Sequence, residues 1–358
     1  MKKKQDAHAL YADPEKSAAV AGLRYYPDTK QGISRKRAGT GFYYINAKGE
    51  KISDQKTLDR IKKLVIPPAW TDVWICPSAN GHIQATGRDT KGRKQYLYHP
   101  NWQQARSSTK FSRLIEFGKN LPKIREQLKH DLLLKKLSKK KVTAIAVYLL
   151  DHSLIRIGNR YYADTNKSYG LTTMRDKHVK IEGAQVRFRF IGKKGVEHEV
   201  ALHDRRLARL VKKCKDIPGY DLFQYYDEEG QRHVLESGDV NDYLCNLTDF
   251  DFTAKDFRTW GGTVRMVECL ETVLQQQPDL PKEKCVKEAV KLVAKSLGNT
   301  PSVCSKYYIH PQVINLFHED KFMNYLRRHN ATEIDRNEGL SPMEQLVIKM
   351  LKAVNSKQ

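Results

Sequence analysis

Two adjacent tyrosines, Tyr307 and Tyr308, follow a lysine in the segment SVCSKYYIHP, and either hydroxyl could act as a nucleophile. A phenol is a weak nucleophile at neutral pH because its free pKa is near ~10, so it needs cationic neighbours that favour the phenolate. Adjacent tyrosines on a helix are more often core and interface residues. This segment by itself therefore leaves open whether either hydroxyl reacts.

Any phosphate chemistry in this chain would have to use its own cations, because the sequence contains no G-x-x-x-x-G-K-[ST], no H-E-x-x-H and no evident carboxylate cluster for magnesium. Arginine suits that role, since its planar guanidinium grips two phosphate oxygens and stays protonated. The candidate cations are Arg156 in LIRIGNRYY, Lys193 in FIGKKGVEH, and Lys255 and Arg258 in FTAKDFRTWGGT. Taken singly, Arg156 could be an arginine at the end of an apolar helix and Lys193 a solvated lysine at a hairpin tip.

The elements that position these residues begin with a β-rich segment. GFYYIN, DVWICP and two pieces of GHIQATGRDTKGRKQYLYHP are rich in aromatic and β-branched residues, which is typical of strands. The helix predicted in DQKTLDRIKKLVI ends before Pro67. The sequence therefore predicts a small β-rich N-terminal domain over residues 1–105.

The remainder, residues 106–358, is predicted to be a larger and mainly helical domain. FSRLIEFGKNLPKIREQLKHDLLL, KVTAIAVYLLDHSLIRIG, GTVRMVECLETVLQQQ and KEKCVKEAVKLVAKSLG carry apolar residues at helical spacing. Thr300 and Pro301 provide an N-cap and a first-turn proline for a short helix, and Ser341 begins a capping box. Alternation through QVRFRFIGKKGVEHEV predicts a β-hairpin with Lys193 at its tip. The expected fold class is α+β.

The composition indicates a polyanionic partner. The 358 residues include 64 Lys and Arg against 41 Asp and Glu, a net charge of +23, and nucleic acid is the commonest partner of such a basic surface. The chain has no apolar run long enough to span a membrane. Its six cysteines are dispersed without a C-x-x-C, which favours reduced thiols in a cytoplasmic protein and no zinc site.

Taken together and in this order, the motifs resemble those of type IB DNA topoisomerases of the compact bacterial and poxvirus kind. The segment at 66–102, IPPAWTDVWICPSANGHIQATGRDTKGRKQYLYHPNW, is similar to the N-terminal domain of that family. RIGN, FIGKKGVEH, TAKDFRTWG and LGNTPSVCSKYYIHP resemble its catalytic motifs, and the resemblance covers about residues 30–320.

The resemblance implies an enzyme that relaxes positive and negative supercoils in double-stranded DNA. Members cleave one strand through a 3′-phosphotyrosyl intermediate and religate it, with no ATP, metal or other cofactor. It further implies two lobes that form a C-shaped clamp around the duplex. We expect a monomeric bacterial protein, cytoplasmic and associated with the nucleoid, with no nucleotide or membrane partner.

The family pattern assigns the nucleophile to Tyr308 rather than Tyr307. It assigns stabilisation of the transition-state oxygens to Arg156 and Arg258. The general acid that protonates the leaving 5′-oxygen is Lys193 by the same pattern, with Lys194 as a competing assignment.

One position departs from the poxvirus pattern. Asn299 stands where poxvirus members carry a histidine that contacts a non-bridging oxygen. Bacterial members resemble this sequence in having asparagine at that position. Asparagine can donate that hydrogen bond but cannot carry a positive charge. The residues predicted to contact DNA are Arg88, Lys94, Gln95, Tyr96, Tyr98 and Lys255.

Three other classes share part of this pattern. A tyrosine recombinase has the same nucleophile and cations, but usually an H-x-x-R arrangement, whereas AKDF precedes Arg258 here. A DNA-binding protein without catalysis, or an RNA-binding protein, would explain the charge but needs none of the reactive residues.

Overall fold

The structure, a computed structural model, describes residues 13–90, 92–330 and 339–355. It divides into two compact units between Arg113 and Leu114, inside a long helix. Helices and small antiparallel sheets both occur, which confirms the predicted α+β class. No helix in the described ranges is long and apolar enough to cross a bilayer.

The first unit is built on a five-stranded antiparallel sheet with the order β2-β1-β3-β4-β5. Its elements in chain order are α1 (Pro14–Val20), β1 (Ile33–Ala38), β2 (Gly41–Ile45), α2 (Gln55–Lys63), β3 (Thr71–Ile75), β4 (Ile83–Arg88), β5 (Lys94–Tyr98) and the start of α3 (Pro100–Asp131). Ile61 of α2 packs with Ile33, Val73, Ile75 and Ala85 of the sheet to form the core. The strands predicted between residues 40 and 100 are confirmed. The helix before Pro67 ends earlier than predicted, at Lys63, and Val65 then takes a positive φ of 48°.

The second unit contains the rest of α3, ten further helices and two small sheets among its described residues. In chain order these elements are α4 (Lys139–Ser153), α5 (Arg160–Asn166), β6 (Val179–Glu182), β7 (Gln185–Ile191), β8 (Glu197–His203), α6 (Arg205–Lys215), β9 (Gln224–Tyr226), β10 (Arg232–Val234), α7 (Ser237–Thr248), α8 (Ala254–Gln276), α9 (Lys282–Leu297), α10 (Pro301–Tyr307), α11 (Pro311–His318), α12 (Phe322–Asn330) and α13 (Pro342–Asn355).

Helix α8 lies at the centre of this unit and packs against α4, α9, α11 and α13. It begins at Ala254, earlier than predicted, and continues through the double glycine at 261–262. Because these glycines have no side chain, other residues can lie close to the backbone of α8. A Cβ on Gly261 would lie 2.7 Å from Leu154 Cδ1, and one on Gly262 would lie 2.6 Å from the Tyr308 carbonyl oxygen. The glycines therefore permit close packing against α8 rather than ending it.

The predicted hairpin is confirmed as β7 and β8, which pair in register from Gln185 with His203 to Ile191 with Glu197. Val186, Phe188 and Phe190 are buried on one face, as the alternation predicts. Strand β6 adds a third strand beside β7.

Candidate active site

The C-terminal end of α9 provides the carbonyl groups around which the candidate site is built. Gly298 takes the left-handed conformation at φ 56°, and the N–H of Asn299 donates to the Ala294 carbonyl at 2.9 Å. This is a glycine-terminated helix end of the kind that local sequence encodes. The last carbonyls of a helix carry partial negative charge, so this end attracts cations.

Two arginines converge on that helix end from different parts of the chain. Arg258 is only 4% exposed, and its Nη2 donates to the Leu297 carbonyl at 2.8 Å, while its Nη1 donates to the Leu154 carbonyl. Arg156 Nη2 donates to the Gly298 carbonyl at 3.2 Å and to Asn299 Oδ1. Burial and the nearby charge of Arg156 lower the pKa of Arg258 to about 10, so it remains a cation at neutral pH.

Arg156 lies in a loop rather than at the end of a helix, which corrects the sequence-based expectation. Helix α4 ends at Ser153, and Leu154 follows in the left-handed conformation at φ 54°. The loop is held by backbone hydrogen bonds from Leu171 to the Arg156 carbonyl at 2.8 Å and from Thr172 to the Ile157 carbonyl at 2.7 Å. These hydrogen bonds hold the backbone of the loop that carries Arg156.

The structure brings Tyr308, and not Tyr307, to the arginines. Tyr308 is the C-cap of α10 and is half-buried, with its ring centroid 5.0 Å from the guanidinium carbon of Arg258. Tyr307 is 47% exposed, and Lys306 Nζ lies 5.5 Å from its ring centroid. The two rings point apart because successive helical residues are rotated by about 100°.

Opposing effects set the ionisation of Tyr308. Burial disfavours the phenolate, but the charge of Arg258, its hydrogen bond to the phenol, and the charges of Arg156 and Lys255 together outweigh burial. The pKa of Tyr308 consequently lies below its ordinary value. Lys255 is exposed and lies one helical turn before Arg258 on α8, so this predicted DNA-contacting residue also contributes charge near the phenol.

Two donors at the site have no hydrogen-bond partner among the described residues. They are Asn299 Nδ2 and Arg258 Nε, and both atoms are buried. A buried donor without a partner is costly, so native structures contain few of them. Asn299 is oriented by Arg156, which occupies its Oδ1 and leaves Nδ2 as the group for another acceptor.

Lys193 lies in the short turn between β7 and β8 and is exposed, as is Lys194, whose φ is 66°. Within the described residues, neither lysine makes a hydrogen bond or an ion pair with another side chain. The structure therefore brings together Tyr308, Arg156, Arg258 and Asn299, and leaves Lys193 on the adjoining hairpin.

The sequence-based reasoning missed His198, which lies on β8 of that hairpin and near both arginines. Its ring stacks on Phe190, with centroids 5.0 Å apart and planes at 6°. Burial, Arg156 and Arg258 lower its pKa to about 4. The available signal was the strand alternation, which places residue 198 opposite Phe190 on the buried face.

The predicted DNA-contacting residues of the first unit lie on β4 and β5. Lys94, Tyr96 and Tyr98 are exposed on one face of β5, and the two tyrosine rings stack with centroids 5.8 Å apart. Arg88 pairs in register with Lys94, so its side chain is on the same face. Gln95 is on the opposite face and donates to Asp89 Oδ2 at 2.9 Å.

Both cations of this face have acidic neighbours. Lys94 pairs with Asp28 at 2.6 Å and Arg88 with Asp72 at 3.5 Å. A metal site is not evident in residues 13–90, 92–330 and 339–355, where no group of three or more His, Cys, Asp or Glu side chains could hold an ion.

Comparisons with known proteins agree with this arrangement. The family model for the eukaryotic DNA topoisomerase I catalytic core matches residues 99–333, and that for the bacterial DNA topoisomerase IB N-terminal domain matches residues 41–89. DNA topoisomerase 1B of Acanthamoeba polyphaga mimivirus is 32% identical over 294 residues, covering 80% of this chain and 88% of the viral protein.

Poxvirus relatives match over a similar length. DNA topoisomerase 1B of vaccinia virus (strain Western Reserve) is 24% identical over 283 residues, 77% of this chain and 86% of its own. DNA topoisomerase 1 of Rabbit fibroma virus is 25% identical over 290 residues, 76% and 85% of the two chains. The chain belongs to the type IB DNA topoisomerase family, a class of isomerases. The tyrosine recombinase alternative is set aside by this membership.

Proposed function

We propose that this protein relaxes positive and negative supercoils in double-stranded DNA by transient cleavage of one strand at Tyr308. The observation that carries the proposal is the contact of Tyr308 with Arg258 beside the Arg156–Asn299 pair at the end of α9. This arrangement combines a nucleophile of lowered pKa with cations and unpartnered donors.

In the cleavage step, the Tyr308 oxygen attacks phosphorus and forms a 3′-phosphotyrosyl bond. The bond to the 5′-oxygen breaks, and that oxygen takes a proton to become a hydroxyl. Religation is the reverse attack by this hydroxyl, so the energy of the phosphodiester is conserved in the covalent link. The cycle therefore needs no ATP, and in this proposal the protein's own cations, rather than a metal ion, stabilise the charge at phosphorus.

Arg156, Arg258 and Asn299 stabilise the charge that develops on the non-bridging oxygens. Arg258 Nε and Asn299 Nδ2 have no hydrogen-bond partner in the part of the chain that the structure describes, and such preorganised donors are usually the largest contribution to catalysis. Asn299 supplies a neutral donor where poxvirus members supply an imidazole.

Lys193 is the general acid that protonates the leaving 5′-oxygen, with Lys194 as the alternative. Its exposed position on a turn suits a group that must reach the DNA backbone. A phosphorothiolate substrate, in which sulfur replaces the bridging 5′-oxygen, tests this role because a thiolate leaves without a proton. Lys193→Ala should slow cleavage of the oxygen substrate and not that of the sulfur substrate, whereas Lys194→Ala should slow neither.

DNA binds against the exposed face of β4 and β5 and near Lys255, and the two units act as a C-shaped clamp. Stacked tyrosines beside basic side chains support this role in the first unit. Because phosphate contacts dominate such binding, affinity should fall steeply with salt. A monomer suffices, since one tyrosine cleaves one strand. We place the protein in the bacterial cytoplasm, associated with the nucleoid.

The test is relaxation of supercoiled plasmid in EDTA without ATP, by the wild type, Tyr308→Phe and Tyr307→Phe. We expect the wild type and Tyr307→Phe to relax the plasmid, and Tyr308→Phe to bind it without relaxing it. If the wild type binds plasmid and leaves it supercoiled, the chain is a DNA-binding protein without catalysis. If Tyr307→Phe alone is inactive, the nucleophile is assigned to the wrong tyrosine.

A further inference from the structure

His198 lies between two parts of the site, the turn that carries Lys193 and the C-terminal end of α9. Its ring edge lies between two glycines, each of which directly precedes a residue assigned to the reaction. A Cβ on Gly192, before Lys193, would lie 2.7 Å from His198 Nε2. A Cβ on Gly298, before Asn299, would also lie 2.7 Å from the same nitrogen.

The two glycines have different backbone requirements. Gly298 has φ 56°, so glycine is favoured there as a helix terminator as well as for space. Gly192 has φ −94°, which any residue can adopt, so the conformation does not explain its glycine. The position of the His198 ring explains the glycine, because a side chain at residue 192 would collide with the ring.

The ring itself is firmly placed. Phe190 stacks on it across the paired strands, and the Gly192 N–H donates to the Val196 carbonyl at 2.7 Å to close the turn below it. His198 Nε2 is buried without a hydrogen-bond partner among the described residues. A buried nitrogen without a partner costs stability, which favours a role of the ring in the site over one in stabilising the fold.

The charge state of the imidazole fits this position. Arg156 and Arg258 lie near enough to lower its pKa, and it is neutral at physiological pH. A neutral ring can fill the space beside two guanidiniums without adding to their mutual repulsion. It therefore contributes shape rather than charge.

We propose that His198 is a positioning residue that fixes the Lys193 turn against the Gly298–Asn299 end of α9, so that the general acid and the oxyanion donors are held in one register. The inference rests on the proposed function, because it assumes that Lys193 protonates the leaving 5′-oxygen. A small displacement of a reacting group is enough to cost about 100-fold in rate, so loss of the ring has a measurable consequence.

The experiment measures single-turnover cleavage of a duplex with a site mapped using the wild type, prepared with either a 5′-bridging oxygen or a 5′-bridging sulfur. His198→Ala should slow cleavage of the oxygen substrate by about 10-fold to 100-fold and leave the sulfur substrate near the wild-type rate. His203→Ala, an exposed histidine on the same strand, is the matched control and should behave as the wild type on both.

A converse variant tests the contact itself. Gly192→Ala adds a methyl group where the ring lies and should reproduce the selective loss on the oxygen substrate. In the His198→Ala background the same change meets no ring, so the double variant should be no slower than His198→Ala alone. Melting curves of all variants show whether the fold is retained.

Equal slowing of both substrates by His198→Ala, wild-type rates for that variant, or additive losses in the double variant would each overturn the proposal. Failure of the proposed function gives a different result. In that case the wild type forms no covalent complex with either substrate, or Lys193→Ala is slowed equally on oxygen and sulfur.

Discussion

The guanidinium of Arg258 lies 5.0 Å from the ring centroid of Tyr308 while its two Nη atoms are engaged by the Leu154 and Leu297 carbonyls. Those carbonyls come from the end of α4 and the end of α9. One arginine thus fixes two helix ends and faces the candidate nucleophile, so packing and chemistry depend on the same side chain.

Arg258→Lys should abolish most of the cleavage activity. Lysine is a point donor and cannot satisfy both carbonyls and still present a planar donor to phosphate. We expect single-turnover cleavage to fall by about 10²–10³-fold, and the melting temperature to fall as well, because a buried carbonyl loses its donor. Arg265→Gln, an exposed change on the same helix, is the control and should leave cleavage unchanged. Near wild-type cleavage by Arg258→Lys would contradict this role.

The cleavage rate should rise with pH and level off below the ordinary tyrosine pKa. The phenolate is the reactive form, and the pKa of Tyr308 is lowered against the effect of burial by Arg258, Arg156 and Lys255. Removing the exposed charge in Lys255→Gln should move the inflection to higher pH. Single-turnover cleavage of the sulfur substrate, at saturating DNA and several pH values, isolates this ionisation from that of the general acid. An inflection that does not move would show that Lys255 has no influence on the phenol.

Gly262→Ala should misplace Tyr308 without unfolding the protein. The added Cβ would lie 2.6 Å from the Tyr308 carbonyl oxygen, so α10 has to move away from α8. We expect cleavage to fall by about 10-fold to 100-fold. Gly238→Ala is a matched helical control with open space around the new methyl group, and it should be neutral or slightly stabilising. Equal activities of the two variants would exclude a constraint at Gly262.

Acidification should destabilise the fold partly through His310. Its Nδ1 accepts from the Gln312 N–H at 3.1 Å and caps α11, and burial lowers its pKa from 6.5 to about 4. At pH values between about 4 and 6.5, the unfolded chain therefore binds more protons than the folded protein does. The stabilisation is complete above pH 6.5 and is lost as pH falls toward 4, by up to about 1.4 kcal/mol per pH unit.

His310→Asn keeps an N-cap acceptor but removes the titration. Urea unfolding at pH 7, 6 and 5 should show a smaller loss of stability for this variant than for the wild type, whose His82, His178 and His198 also have lowered pKa values. His203→Asn, at an exposed position, should follow the wild-type curve. An unchanged pH dependence in His310→Asn would contradict the assignment.

The last helix should be necessary for stability although it follows the matched catalytic core. Glu344 of α13 accepts from Arg125 at 2.8 and 2.9 Å and from the Trp260 indole at 3.0 Å, which links α13 to α3 and α8. Glu344→Ala leaves the buried Trp260 indole N–H without its acceptor and removes one of the two carboxylates that pair with Arg125, so it should cost about 3 kcal/mol, measured by urea unfolding. Glu319→Ala, which removes an exposed pair with Lys321, should cost less than about 1 kcal/mol. Similar losses in both variants would contradict a structural role for the buried pair.

The elements whose signals are local could be predicted from the order of the residues. Alternation gave the hairpin and its buried face, and Gly298 with Thr300 and Pro301 marked the end of one helix and the start of the next. The capping box at Ser341 is present, with its N–H donating to Glu344 at 2.7 Å and the Glu344 N–H donating back to the serine hydroxyl at 3.2 Å. The family was predicted from motif order and is confirmed by the comparisons.

The contacts between distant groups depend on how the chain packs. The carbonyl partners of Arg258 are Leu154 and Leu297, and the ring of His198 lies against Gly298, contacts between segments far apart in the chain. Local pattern could not predict that Arg156 lies outside the helix. Leu154 takes a positive φ and its carbonyl accepts from Arg258 of α8, while Leu171 and Thr172 donate to the carbonyls of residues 156 and 157. Residue type and spacing specify helices and strands over a few residues, whereas the convergence of two arginines on one helix end depends on packing of the whole unit.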